Sequence, residues 1–230
     1  MAELGRVLRE SFRLLVEEPR LFVPKLISAT LSSLWMLGLI SGRIPYLYAV
    51  AALPAIGFIG VFVSVMVASM VKSRGDEVLV NGFRDTLQRW RSVAVATGAV
   101  LFTGFVVSLP FSLGLYSYLI QGSTVFLLAG SAVTLLLLLV FSFAAYFLPI
   151  GLYEKKGFLD GLRSSVTVSA GNARDVSALT LFSFAMLGVA AVAGSGLEVL
   201  GAAGFLIGRL TSSVVGTYLF VVSPSYYLER

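Results

Sequence analysis

Runs of apolar residues long enough to cross a bilayer occur at 21–40, 46–71, 93–115, 124–148 and 175–195, and a sixth lies within 199–228. About 20 predominantly apolar residues suffice for a helix to span the hydrocarbon core, so the pattern predicts six crossings. Three of the intervening segments alternate at helical rather than random spacing. In the first, Leu4, Leu8, Phe12 and Leu15 recur at steps of 4, 4 and 3, with Arg6, Arg9, Glu10, Arg13 and Glu17 on the opposite face. In the second the apolar stripe is Leu79, Phe83, Leu87 and Trp90; in the third it is Phe158, Leu162 and Val166, before Gly171-Asn172 ends the helix. Such amphipathic helices are expected to lie in the membrane interface, apolar face in the acyl boundary and arginines at the headgroups.

The three segments also share a motif. Leu8-Arg9-Glu10-Ser11-Phe12, Phe83-Arg84-Asp85-Thr86-Leu87 and Leu162-Arg163-Ser164-Ser165-Val166 all read apolar, Arg, any residue, hydroxyl, apolar, and they start 75 and 79 residues apart. Each precedes two apolar runs. The expected architecture is therefore an all-α integral membrane domain over 1–230, six transmembrane helices as three parallel repeats of an interfacial elbow helix plus a helical hairpin. The units are approximately 1–71, 72–148 and 149–230. Arg9, Arg84 and Arg163 become candidate lipid-headgroup contacts.

Charge gives this arrangement a direction. Of 17 Lys and Arg, five flank the first run (Arg6, Arg9, Arg13, Arg20, Lys25) and five lie between the second and third (Lys72, Arg74, Arg84, Arg89, Arg91). Four more lie between the fourth and fifth (Lys155, Lys156, Arg163, Arg174), and Arg230 ends the chain. The other side has Arg43, nothing in 116–123, and Arg209. An excess of basic residues marks cytoplasmic loops, so a cell-membrane protein with both termini cytoplasmic is expected. The net charge of +5 is then a topology signal that needs no nucleic acid to explain it. The residues ahead of the first run are too many and too acidic for the n-region of a secretory signal, and they are expected to stay attached.

Composition narrows the chemistry. With 57% hydrophobic residues, 13% charged and a mean hydropathy of +0.93, the chain falls outside the range of soluble domains, which carry about 25% charge. The sequence contains no His and no Cys, removing the usual proton shuttle, the thiol nucleophile and the commonest metal ligands. No phosphate-binding G-x-x-x-x-G-K is present, Gly194-x-Gly196 with Gly201 misses the dinucleotide spacing and reads as a turn, and no Ser has a base beside it in the pattern. Glu17-Glu18 and Asp76-Glu77 sit in basic segments and read as solvated ion pairs. No catalytic residue, cofactor or metal is expected. The only side-chain amides are Asn81, Asn172, Gln88 and Gln121, a depletion that fits a thermophilic source.

One stretch resembles a known group. Pro149-Ile-Gly-Leu-Tyr-Glu154-Lys-Lys-Gly157-Phe-Leu-Asp-Gly-Leu162-Arg163-Ser-Ser165, followed by Gly171-Asn172, is similar to a pattern in archaeal and bacterial polytopic membrane proteins of largely unknown function. These are related to the membrane domain found beside some glycerophosphodiester phosphodiesterases. Ser11-Phe12, Pro19, Leu21 and Pro24 resemble the same group's opening, and Tyr226-Tyr227 its aromatic close. At Val166 the group tends to have an aromatic residue. The resemblance implies a six-span helical membrane fold and brings no catalytic residue with it.

Charges at membrane depth are the remaining signals. Lys25, after Pro24, is expected to snorkel to the cytoplasmic interface. Glu198 and Arg209 bracket Gly201, Gly204 and Gly208. If the last span is 199–222, Arg209 lies near mid-bilayer; if it is 210–228, Arg209 anchors the outer interface and 197–208 forms an interfacial or re-entrant piece. A break at Gly201 or Gly204 would let Glu198 and Arg209 meet as an outer pair. Gly38-x-x-x-Gly42 and Gly204-x-x-x-Gly208 permit close packing, leaving a homo-oligomer or a membrane-complex partner open. Function divides between two classes. One is a non-enzymatic protein that binds or moves an apolar or amphipathic molecule such as lipid, which requires a polar-lined cavity. The other is a membrane scaffold working through its amphipathic helices, which requires a closed apolar centre.

Overall fold

The computed structural model describes residues 2–73, 75, 77–155 and 157–229; Arg74, Asp76, Lys156 and Arg230 of the charge pattern lie outside them. The described residues are helical with no strand: α1 Ala2–Glu17, α2 Val23–Ile40 after a 3-10 turn at Pro19–Phe22, α3 Tyr46–Lys72, α4 Val78–Gln88, α5 Trp90–Gln121, α6 Thr124–Ala144, α7 Leu148–Glu154, α8 Phe158–Gly171, α9 Ala173–Leu197 and α10 Gly201–Leu228. Five stretches are long and apolar enough to cross a membrane, at 19–40, 46–72, 90–121, 124–154 and 173–228. Their large apolar side chains, Phe102, Phe105, Leu136, Val189 and Val192 among them, point outward and stay exposed. In water so continuous an apolar surface would aggregate; in lipid it is the solvated state.

The last stretch is a hairpin. Gly201 takes a φ of 68° after the 3-10 turn Glu198–Leu200, a left-handed conformation that reverses the chain with no Cβ penalty. The α9 and α10 arms then close at Gly194 and Gly208, where a Cβ on Gly208 would stand 3.0 Å from the Gly194 Cα. The expected break is found, but two other expectations are corrected. Because α10 is continuous from Gly201, 197–208 is not a separate interfacial piece. Gly194 and Gly196 lie inside α9 rather than in a turn, and Gly204 and Gly208 are consumed by contacts within the chain.

The core lies at one end of the bundle. Leu14, Leu21, Met66, Met70, Val78 and Val221 form one cluster, and Val7, Ala68, Phe147, Ile150, Leu179 and Tyr226 another, joining the ends of α3 and α10 to α1, α4, α7 and α9. We call this the elbow end. The amphipathic helices α1, α4 and α8 pack there against α10, α3 and α7 respectively. In all three the motif hydroxyl is fully buried (Ser11, Thr86, Ser165), whereas the motif arginine, Arg9, Arg84 or Arg163, is exposed. The buried face therefore runs through small and hydroxyl residues such as Gly82-Thr86 and Gly161-Ser165-Ser169. Small side chains let helices approach closely where surrounding lipid supplies no hydrophobic drive. The predicted apolar stripes are split: Phe12, Phe83, Leu87, Trp90 and Val166 are exposed, whereas Leu4, Leu8, Leu79, Phe158 and Leu162 pack against the core. The first elbow differs in that Leu15 belongs to the core.

Several polar groups at this end are paired, although the buried Ser11 and Ser169 hydroxyls have no hydrogen-bond partner. Pro149 has no amide hydrogen, and the sixth helix breaks at 145–147 just before it. Ser165 repairs the break: its hydroxyl donates to the Ala144 carbonyl (2.7 Å) and accepts from the Phe147 amide (3.1 Å). Ser223 donates to the Tyr146 carbonyl at 2.7 Å. Tyr226 donates to Asp175 at 3.0 Å while its ring stacks on Phe147. Lys72 and the Tyr227 hydroxyl both reach Glu154, at 2.6 and 3.1 Å. Glu17 and Glu18 pair with Arg13 and Arg20, as expected of solvated carboxylates.

Candidate functional site

Beyond the elbow end the helices enclose a cavity of about 650 Å³. One wall is a single face of α10: Arg209, Ser212, Ser213, Gly216, Phe220 and Ser223 recur at the three-to-four-residue steps that keep side chains on one side of a helix. Across from it, α2 contributes Lys25, Ser28 and Ser32 on the same periodicity. Ser142 and Tyr146 enter from the α6 side and Ser183 from α9, while Val100, Leu187 and Leu219 make the apolar part of the wall. Among the described residues two cations line this space and no carboxylate does.

The Lys25 side chain, one residue past Pro24 at the start of α2, turns toward α10. Its stem lies along Gly216, where a Cβ would come within 3.2 Å of the Lys25 Cε, and its ammonium sits 4.5 Å from the centre of the Phe220 ring. The missing side chain at Gly216 makes the room, and the ring face supplies weak cation–π compensation. Arg209 is the ninth residue of α10, about 12 Å along the helix from Gly201 at 1.5 Å per residue, and it stands exposed at the cavity rim. Among the described residues neither cation has an ion-pair or hydrogen-bond partner. Two like charges facing one cavity without a counter-charge are unfavourable in the empty protein.

The hydroxyls fall into two sets. Ser32, Ser183 and Ser212 donate to carbonyls of their own helices, Ala29, Leu179 and Gly208, at 2.8–3.1 Å. These present only oxygen lone pairs to the cavity. Ser213, 3% exposed, instead holds a buried hydroxyl with no hydrogen-bond partner, and the buried Tyr146 hydroxyl has at most a weak contact with Ser183. Buried donors of this kind cost roughly 1–3 kcal/mol each unless something accepts from them.

Glu198 and Arg209 line a second, smaller cavity of about 320 Å³ together with Ser195 and Ser212. Arg209 is thus shared by both spaces. The hairpin turns at Gly201 but does not bring the two charges into an ion pair, and Glu198 stays outside the larger cavity. Arg163 borders a shallow groove with Glu154, Asp160 and Thr167, whereas Arg9 and Arg84 are exposed on their elbows. The structure therefore keeps the three elbow arginines apart and separate from the cavity. The residues that sequence reasoning passed over are the serines of α2 and α10. Their signal was the 25-28-32 and 209-212-216-220-223 spacing, polar or small positions on one face of an otherwise apolar helix.

No protein-family model, no curated protein and no solved structure matches this chain.

Proposed function

We propose that the chain is a non-enzymatic, six-span membrane protein that binds an amphipathic molecule in the cavity between α2, α6, α9 and α10. The observation carrying this reading is a space of about 650 Å³ whose mainly apolar wall carries Lys25, Arg209 and a set of serine hydroxyls, inside stretches that are otherwise apolar. Its size suits a small ligand or a lipid headgroup, since ligand pockets measure about 300–1,000 Å³. A scaffold would have no use for it. In this reading α9 and α10 are separate crossings, the fifth and sixth, with 25 and 28 residues to cover the hydrocarbon core. The three elbow-plus-hairpin units insert in the same direction with both termini cytoplasmic. The equivalent burial of Ser11, Thr86 and Ser165 supports three related units, and Arg9, Arg84 and Arg163 then reach anionic headgroups at about 1 kcal/mol each.

Native mass spectrometry of the detergent-purified protein tests the functional reading. A retained amphiphile is expected in the wild type and should be displaced in Ser28→Phe, which pushes a ring into the cavity from α2. Equal retention by both proteins, or none by either, would overturn the reading. Topology is checked separately in intact cells: cysteines at 88 and 168 should resist an impermeant maleimide, whereas cysteines at 43 and 121 should react.

A further inference from the structure

We infer that the cavity is an anion site: it takes the phosphate or carboxylate group of its ligand between Lys25 and Arg209, with the Ser213 and Tyr146 hydroxyls as donors. This rests on the proposal that the cavity binds an amphipathic molecule, and specifies the charge of that molecule. Four features point the same way. Among the described residues the only charged side chains on the wall are two cations, and neither has an ion-pair or hydrogen-bond partner. At the elbow end Lys72 is paired with Glu154, Arg13 with Glu17 and Arg6 with Glu229, while Arg9 and Arg84 stay exposed on the outer surface of their elbows and do not line the cavity. On the cavity wall the unpartnered Ser213 hydroxyl and the weakly held Tyr146 hydroxyl supply O–H groups, which an anion accepts and a cation does not.

The fourth feature is layout. Lys25 lies against Gly216, two helical turns from Arg209 on the same face of α10, and Ser213 lies between them. Two turns are about 11 Å at 1.5 Å per residue. An anionic group near Ser213 is therefore within the reach of one long cationic side chain from either side. Charge-assisted bonds from Lys and Arg are the strong ones, and Arg in particular binds a planar or tetrahedral oxyanion with two parallel N–H donors. A zwitterionic headgroup would bring a quaternary ammonium among two cations with no carboxylate to meet it. Glu198, the nearest acidic candidate on this part of the chain, borders only the neighbouring space.

Binding to the purified full-length protein in a neutral maltoside detergent decides the matter, with three probes: phosphatidylglycerol, phosphatidylcholine and inorganic phosphate. Phosphatidylglycerol should bind and raise the melting temperature, phosphatidylcholine should do so far less, and Lys25→Gln or Arg209→Gln should each weaken phosphatidylglycerol by about tenfold or more. Lys25→Arg and Arg209→Lys should retain the preference, which separates lost charge from lost folding. The triple variant Arg9→Gln, Arg84→Gln, Arg163→Gln should retain it as well. If inorganic phosphate alone stabilises the wild type with the same dependence on Lys25 and Arg209, the anion site stands and its ligand comes from water. The inference is overturned if both Gln variants keep the full preference, or if the elbow triple variant abolishes it. Retention of either lipid that is lost in Ser28→Phe but indifferent to both cations would sink the anion site and leave the cavity reading intact; retention unaffected by Ser28→Phe would sink both.

Discussion

At the break between α6 and α7 the hydroxyl of Ser165 is bonded to both backbone groups that the break sets free; farther along α10 the hydroxyl of Ser213, almost as deeply buried, is bonded to none. The same contrast holds for charge. Lys72 at the elbow end has Glu154 at 2.6 Å, and Lys25 in the cavity has an aromatic face at 4.5 Å and no carboxylate. Both regions lie in one apolar chain, so the difference is not one of composition. Most polar groups that serve the fold find partners within it, because an unmet hydrogen bond there is a direct loss of stability, and the buried Ser11 and Ser169 hydroxyls are the exceptions at the elbow end. Groups left unmet in a space large enough for a ligand are more economically explained as serving something outside the chain.

Substitution at the elbow end should therefore cost most. Ser165→Ala strands the Ala144 carbonyl and the Phe147 amide in the buried core, an expected loss of about 2–6 kcal/mol at roughly 1–3 per stranded group. Ser213→Ala removes a hydroxyl that bonds to nothing and should leave the unliganded protein unchanged or slightly more stable. Melting of the two variants in the same detergent is the comparison. Equal losses would mean that the two serines are not different in kind.

Tyr226→Phe comes next. It removes the hydroxyl donated to Asp175 and keeps the ring that stacks on Phe147, so the expected loss is about 1.5–2 kcal/mol, the range for a hydrogen bond to a charged group. Tyr146→Phe, the cavity counterpart, gives up at most a weak contact with Ser183, should cost less than Tyr226→Phe without ligand, and should weaken binding of the anionic lipid.

The two regions also differ in how far the sequence discloses them. The long helices follow from apolar runs, and the elbows from a period that survives in single segments. Pro149 and Gly201 mark their breaks through local backbone chemistry, readable from one residue and its neighbours. The face on which an elbow packs was less legible. Apolar stripes draw the eye to Phe83 and Leu87, but in lipid the close contacts belong to Gly82 and Thr86, because bulk is not needed where lipid already surrounds apolar groups. The cavity was least legible of all. Lys25 and Arg209 are 184 positions apart, and their common space exists only once α2 has packed on α10. Each cation taken singly reads as an interfacial anchor.

A third prediction has the opposite sign. Lys25→Met removes an unpartnered charge and keeps a stem that fits beside Gly216, so the unliganded protein should gain about 1 kcal/mol, a gain limited by the loss of the Phe220 ring contact. Lys72→Met, which abandons Glu154, should lose a fraction of a kcal/mol to about one, since both side chains are partly exposed. Opposite signs for the two lysines in parallel melts would sharpen the contrast between paired and unpaired charge. A loss on Lys25→Met comparable to that on Lys72→Met would break it.

The smallest expected effect concerns Glu198 and Arg209. Eleven residues of continuous helix would hold them about 16 Å apart, and the turn at Gly201 removes that obstacle by folding α10 back on α9. The two side chains nevertheless share the walls of the smaller cavity without forming an ion pair, and Arg209 also borders the larger one. If Arg209 is held for a ligand and not for Glu198, the single variants Arg209→Gln and Glu198→Gln should be additive in the melt, with a coupling below about 0.5 kcal/mol. Adding phosphatidylglycerol should then separate them: stabilisation by the lipid disappears in Arg209→Gln and persists in Glu198→Gln. A coupling of 1 kcal/mol or more without lipid, beyond the ~0.3–0.5 kcal/mol expected of independent sites, would make the arginine a structural partner of Glu198 and move it to the paired side of the comparison.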